Sequence, residues 1–457
     1  MRINRFAALF FAFFLGLCTC PTSVSAQTWV ALGHQGVGVL GSVCSLTDYN
    51  GQLCVGGSFQ NELDSLGGFP FSASNISTWN GSAWAQLGAG TNDTVTATCN
   101  YNGNLIACGT FNSADGYPVN NIALWDGNEW DSVRGGLNGP VYAACVYNGN
   151  LIAGGYFTTA DGSSANNIAQ WNGTSWAPLG SGMNGPVYAV CVYNGNLIVG
   201  GSFSSVGGIP SYVNNIASWD GISWSALASG VNKRVDAFCI YNDSLVVGGE
   251  FTYAGGYPAN YIAVWNGTSW SNSLGGMDNF VLALCVYNGN LIAGGSFIYA
   301  GGDPSPADYV AQWNGIMWST MGLGMNDQVN VLSIHNGNLI AGGNFNAVGT
   351  DTANGLAEWC STCLLGVNTI TNSNISVTVF PNPGNGVFTF EVKGEGLQAS
   401  NNIEIYNMLG EKVYSEVVES NAAKSVIDIS NQPSGIYLYR FTTNSGGLVS
   451  SGKIIIQ

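Results

Sequence analysis

Residues 187–201 read Val187-Tyr188-Ala189-Val190-Cys191-Val192-Tyr193-Asn194-Gly195-Asn196-Leu197-Ile198-Val199-Gly200-Gly201. An alternating apolar run stops at an Asn-Gly pair, and a second apolar run leads away from it. Asn-Gly accepts positive φ at both central positions of a type I′ turn, so this stretch is a β-hairpin. Residues 215–219 and 224–227 predict two further short strands across the Asp220-Gly221 turn. Four strands in some 46 residues cannot bury both faces alone; they need copies of themselves on either side.

The copies are present. Elements like Tyr-Asn-Gly-Asn-Leu start at Tyr49, Tyr101, Tyr147, Tyr193, Tyr241, Tyr287 and His335, at spacings of 52, 46, 46, 48, 46 and 48 residues. A tryptophan precedes the second turn of each unit: Trp79, Trp125, Trp171, Trp219, Trp265, Trp313 and Trp359. Another follows that turn in six units: Trp84, Trp130, Trp176, Trp224, Trp270 and Trp318. The seventh member is Trp29, whose context Trp29-Val30-Ala31-Leu32-Gly33 matches Trp176-Ala177-Pro178-Leu179-Gly180. A fourth strand displaced to the other chain end is what a closed ring needs and an open array does not. The expected fold is all-β: a seven-bladed β-propeller over residues 27–365, closed by an N-terminal strand.

The Gly-Gly pairs at Gly154-Gly155, Gly200-Gly201, Gly248-Gly249, Gly294-Gly295 and Gly342-Gly343 resemble kelch and galactose-oxidase-like repeats. Such glycines are expected to make room for a bulky ring in the neighbouring sheet. The repeated tryptophans are read as packing groups between strands and blades.

Residues 375–457 follow another pattern, after a polar linker at 366–374. They read as a small Ig-like β-sandwich. Its markers are Phe380-Pro381-Asn382-Pro383, Leu409-Gly410-Glu411-Lys412-Val413, Ser434-Gly435-Ile436-Tyr437 and a final Lys453-Ile454-Ile455-Ile456-Gln457. In that order the set resembles the type A C-terminal sorting domain of the Bacteroidetes type IX secretion system. The resemblance implies Sec export, outer-membrane crossing through the type IX machinery, and a product released or held at the outer cell surface. Pro381, Asn382, Pro383, Gly410, Gly435, Tyr437 and Lys453 carry the motif. At the other end, Arg2, Arg5, the apolar residues 6–17 and Val24-Ser25-Ala26 read as a signal peptide over residues 1–26. Cys18 and Cys20 raise a lipoprotein reading, but Leu17 and Thr19 suit a lipobox poorly. No transmembrane segment is expected, because no later run reaches 18 apolar residues.

Charge narrows the function. The 457-residue chain carries 10 Lys and Arg against 26 Asp and Glu, a formal net charge of −16. Residues 27–365 hold only Arg134, Lys233 and Arg234 as bases. A nucleic-acid partner is excluded on this ground, since phosphate contacts demand Lys and Arg. The two mature histidines, His34 and His335, fall on opposite faces of the ring, so no copper site or Ser-His-Asp arrangement can be assembled. An arginine cluster cannot be built from Arg134 and Arg234 alone.

Ten cysteines remain after the leader. Cys99, Cys145, Cys191, Cys239 and Cys285 repeat at one inner-strand position and read as small buried packing groups. Cys99 and Cys108 flank one hairpin on the same face and are disulfide candidates. Cys44 and Cys54 could bridge only across a bulge. Cys360 and Cys363, in Cys360-Ser361-Thr362-Cys363, are the leading disulfide candidates of an exported chain. No cofactor is called for. Calcium is chemically reasonable at Asp115-Gly116 and Asp161-Gly162, although their spacing fits no calcium loop.

The remaining candidate surface is the face bearing two loop sets, one between the second and third strands and one between blades. Its aromatic residues Phe69, Phe71, Tyr117, Tyr212, Tyr257, Tyr261 and Tyr309 suit a glycan or protein ligand. The residues favour a secreted binding or adhesion scaffold without catalysis. A hydrolase or lyase using loop carboxylates such as Asp93, Asp236, Asp278 or Asp327 is the alternative, and a purely structural surface protein is a third.

Overall fold

The computed structural model describes residues 28–32, 38–63, 74–207, 213–302, 304–349, 351–360, 375–394, 400–407, 411–419, 424–443 and 448–457. Every regular element among them is a strand. The chain divides into two compact units, one being Ala26–Thr362 and the other including Cys363–Gln457. The expected leader and linker lie outside the described residues.

The first unit contains seven four-stranded antiparallel sheets. In the blade opened by Val187–Tyr193, the strands Asn196–Gly201, Ile216–Trp219 and Trp224–Ala226 follow outward in sequence order. Asn194 and Gly195 take φ of 50° and 78°, the geometry of a type I′ turn. The second turn is held differently: Asp220 Oδ1 accepts the backbone N–H of Ile222 and Ser223. Those two bonds hold the exposed Asp220 carboxyl below its usual range.

The seventh blade is built from both ends. Thr28–Ala31 pairs with Leu356–Cys360, with Trp29 opposite Trp359. The two rings sit 5.3 Å apart, matching the other six cross-strand tryptophan pairs at 5.0 to 5.6 Å. Inner strands of neighbouring blades pack side by side all round, Val329–His335 against Gly38–Tyr49 completing the circle.

Between blades, the first glycine of each pair admits a valine. A Cβ on Gly154 would lie 2.4 Å from Val187 Cγ1 of the next blade, and one on Gly342 2.5 Å from Val43 Cγ1 across the ring closure. The second glycine lies against backbone: a Cβ on Gly155 would be 2.1 Å from the Pro140 carbonyl oxygen. The space is thus kept mainly for valine and a carbonyl; the aromatic ring expected from sequence enters it at Gly200, where a Cβ would lie 2.7 Å from Phe238 Cζ of the next blade. Tryptophans bind blades laterally as well. Trp130, Trp176, Trp224, Trp270 and Trp318 each donate Nε1–H to a carbonyl of the preceding blade.

The cysteines correct one expectation. Cys99 stands opposite Ile106 and Cys108 opposite Ala97, and both thiols are free. A diagonal pair is roughly 7–8 Å apart, beyond the ~3.8 Å between Cβ atoms that a disulfide needs. Cys44 does fall on a bulge, between Val43 and Ser45, yet it and Cys54 are also free. Cys360 is disulfide-bonded; Cys363 lies outside the described residues. The five repeated thiols pack against the inter-blade cores. Burial pushes them all up, Cys239 to about 11 and Cys99 and Cys145 to about 12, so they remain protonated.

The second unit is a sandwich of a three-stranded and a four-stranded sheet. Phe388, Phe390, Ile403, Ile405, Phe441 and Ile454 fill the space between them.

Candidate functional site

Two of the seven aromatic candidates are displayed. Tyr117 and Tyr257 open the second arms of short ribbons, Ser113–Ala114 with Tyr117–Pro118 and Tyr253–Ala254 with Tyr257–Pro258. They are 64% and 71% exposed. Tyr257 also borders a cavity of about 360 Å³ with Trp270 and Asn272. Tyr261 and Tyr309 serve the fold: at φ of 66° and 72° they fill the left-handed position that Asn75, Asn121, Asn167 and Asn215 take in other blades. Their backbone N–H groups donate to Phe251 and Phe297. Phe69, Phe71 and Tyr212 lie outside the described residues, as does His34.

Most of the carboxylates named from sequence tie loops. Asp278 Oδ1 accepts the N–H groups of Ile298 and Tyr299, as Asn138, Asn184 and Asn232 do at the same repeat position. Asp93 and Asp327 accept the N–H of the next residue. Asp115 and Asp161 bond the preceding blade at Ala89 and Gly135. Among the described residues no three His, Cys, Asp or Glu side chains group as metal ligands.

Asp236 is different. Each inner strand carries a bulge just after a valine, Val43 in the first blade and the first strand residue in the others. The bulged residues are Cys44, Thr96, Tyr142, Tyr188, Asp236, Leu282 and Asn330. At the inner edge they reach the next blade: Asn330 Nδ2 donates to the Val43 carbonyl 3.0 Å away. In blades three to five this ring becomes an aromatic and charged row. Tyr142 stacks on Tyr188 at 5.0 Å and 23°. The Arg234 guanidinium lies 4.8 Å above the Tyr188 ring, a favourable place for a cation. Arg234 Nε is 2.7 Å from Asp236 Oδ1 and its Nη2 is 3.1 Å from Glu250 Oε1.

Asp236 is only 10% exposed, and its Oδ2 has no hydrogen-bond partner among the described residues. Burial outweighs the attraction of Arg234 and, with repulsion from Glu250, raises its pKa to about 6. Burial, then the neighbouring Tyr188 and Tyr156 hydroxyls, push the Tyr142 phenol above its usual range.

Beside this row runs a groove of about 650 Å³ between blades three and four, lined by Asn138, Tyr156, Asn166, Ser181, Asn184 and Ser205. Tyr156 is 62% exposed. It follows the second strand, where other blades carry Ser58, Thr110, Ser202, Glu250, Ser296 and Asn344. Row and groove lie on the loop-bearing face expected from sequence. The individual tyrosines escaped sequence reading because Tyr142 and Tyr188 sit inside repeated strands and Tyr156 directly after one. The available signal was departure from the repeat, position by position.

In the C-terminal unit the separated motifs converge. Asn382 Nδ2 donates to the Lys453 carbonyl at 2.8 Å, and Ile455 N–H donates to Asn382 Oδ1 at 3.0 Å. Pro381 and Pro383, both following cis peptide bonds, frame that asparagine. Gly435 pairs with Ile456 and Tyr437 with Ile454, while the Tyr437 hydroxyl donates to the Pro433 carbonyl at 2.8 Å. Gly410 lies outside the described residues. Residues 378–457 match the secretion system C-terminal sorting domain.

The C-terminal unit is a type IX sorting domain. With it the protein is secreted or displayed at the cell surface, and its sorting domain addresses it to the type IX machinery. In the first unit, residues 148–172 match a β-propeller domain of unknown function, DUF5122; the kelch likeness of the Gly-Gly strands stays one of sequence pattern. The extracellular domain of BT4673 from B. thetaiotaomicron is similar to the chain in two solved structures. The TM-scores are 0.48 and 0.46, each at 12% identity over 95% of this chain. The chain spans 58% and 59% of those two chains. A structural genomics protein of unknown function from Bacteroides thetaiotaomicron VPI-5482 has TM-score 0.37 at 7% identity, over 73% of this chain and 76% of its own. No curated protein matches. No helix among the described residues is long and apolar enough to cross a membrane.

Proposed function

We propose that the propeller is a binding disc without catalytic activity, used for adhesion to a glycan or protein outside the cell. Residues 1–26 direct its Sec export and the sorting domain directs outer-membrane crossing. The observation that carries this reading is the aromatic surface of the loop-bearing face: the Tyr142–Tyr188–Arg234 row, with Tyr156, Tyr117 and Tyr257 displayed on the same side. A rigid ring with side chains that its repeat does not require is suited to recognition.

The test is a glycan-array and whole-cell binding screen with the full mature chain, with and without calcium. Saturable binding that Tyr117→Ala, Tyr156→Ala or Tyr257→Ala weakens supports the disc; silence on every surface favours a purely structural protein. Asp236 beside Glu250 favours one second reading, a carbohydrate-active hydrolase or lyase, because paired carboxylates with one raised pKa suit acid–base work. Turnover of a polysaccharide that Asp236→Asn abolishes would establish it. The burial of Asp236 beneath Arg234 counts against it.

A further inference from the structure

We propose that the groove between blades three and four binds a neutral glycan chain, with Tyr156 as the ring on which a sugar stacks. This rests on the binding-disc reading and names its ligand class.

Three observations lead there. The groove has the size of a small-molecule site, and among the described residues its lining contains amides, hydroxyls, backbone and the buried Phe157 and Met183 but no Asp, Glu, Lys or Arg. Nothing in it neutralises a uronate or sulfate, and a chain of net charge −16 repels such polymers at range. Tyr156, the large exposed ring of the groove, stands where six other blades use Ser, Thr, Glu or Asn. The fold therefore does not require it. An exposed aromatic face among hydroxyl and amide groups fits a pyranose, which offers C–H groups on one face and hydroxyls at its rim. A protein ligand would be anchored by a larger apolar patch than one tyrosine provides.

The experiment is binding of the full mature chain to immobilised neutral, uronate-containing and sulfated polysaccharides, with Tyr156→Ala, Tyr156→Phe, Asn166→Ala and Tyr257→Ala beside the parent. The expected result is retention by neutral polymers only. Tyr156→Ala should weaken it by about tenfold or more, Asn166→Ala by less, and Tyr156→Phe should retain most of it. Because the Tyr156 ring is exposed, its variants should melt like the parent. Loss with Tyr257→Ala but not Tyr156→Ala would move the site to the ribbons and overturn this inference while leaving the disc intact. Preference for acidic polymers, or binding only to protein, would overturn the ligand class. Absence of binding to any surface would overturn both readings.

Discussion

Asp236 shows what one substitution in a repeat can do. The bulge tolerates Cys, Thr, Tyr, Leu or Asn in other blades. Here it buries a carboxyl whose pKa rises to about 6 against an ordinary 3.8. An acid with a raised folded pKa binds protons more tightly folded than unfolded, so it stabilises the fold as pH falls from above 6 toward 4. The melting temperature of the parent minus that of Asp236→Asn should therefore increase between pH 7.5 and pH 5. A difference independent of pH would mean that the carboxyl titrates normally. The glycines give a second case at this scale. Gly200→Ala places a Cβ 2.5 Å from Val235 Cγ1 and 2.7 Å from Phe238 Cζ. Overpacking of this kind costs about 1–3 kcal/mol, readable by denaturant titration. Sequence showed where small residues recur, but not that valine and a carbonyl oxygen occupy the space they leave.

Among the elements, Thr28–Ala31 has the largest consequence for its length. Trp29 is buried at 3% exposure against Trp359, and without this strand Leu356–Cys360 becomes an open edge. Trp29→Ala should cost about 3–5 kcal/mol, and removal of residues 27–33 at least as much. A truncated chain that melts like the parent would show that the ring closes without its N-terminal strand. The tryptophans allow a finer comparison. Trp176 Nε1 donates to Val133 at 3.0 Å, whereas Trp29 Nε1 has no hydrogen-bond partner among the described residues. Trp176→Phe should cost about 1 kcal/mol more than Trp29→Phe, the net value of one hydrogen bond, in parallel denaturant titrations. This displaced strand was legible because its tryptophan completes an otherwise six-membered series.

For the whole molecule, the division into two compact units separates the ring from its export signal. Deleting residues 375–457 should leave the propeller's melting transition unchanged while the protein fails to appear outside the cell, as fractionation would show. A destabilised ring would mean that the sorting domain also supports the fold. The low content of bases acts at the same scale. With Arg134, Lys233 and Arg234 as the only cations of residues 27–365, Arg234 is drawn between Asp236 and Glu250 and held over Tyr188 instead of serving the bulk surface.

Blade number and ring closure were determined by the sequence itself, because each rests on local spacing; the destination was legible through the resemblance of the ordered C-terminal motifs to a sorting domain. Asn-Gly turns, paired tryptophans and the ordered C-terminal motifs repeat or terminate at readable positions. The candidate site was decided only by tertiary structure. Tyr142, Tyr156, Tyr188 and Arg234 lie 92 residues apart from first to last, and departure from the repeat marks them one by one without showing that they meet. Closure of the ring places successive bulges side by side at its inner edge, and that juxtaposition turns separate repeat positions into one surface. Local backbone geometry made Tyr261 and Tyr309 backbone supports rather than display residues, because they take the left-handed φ that Asn takes at the same repeat position in four other blades.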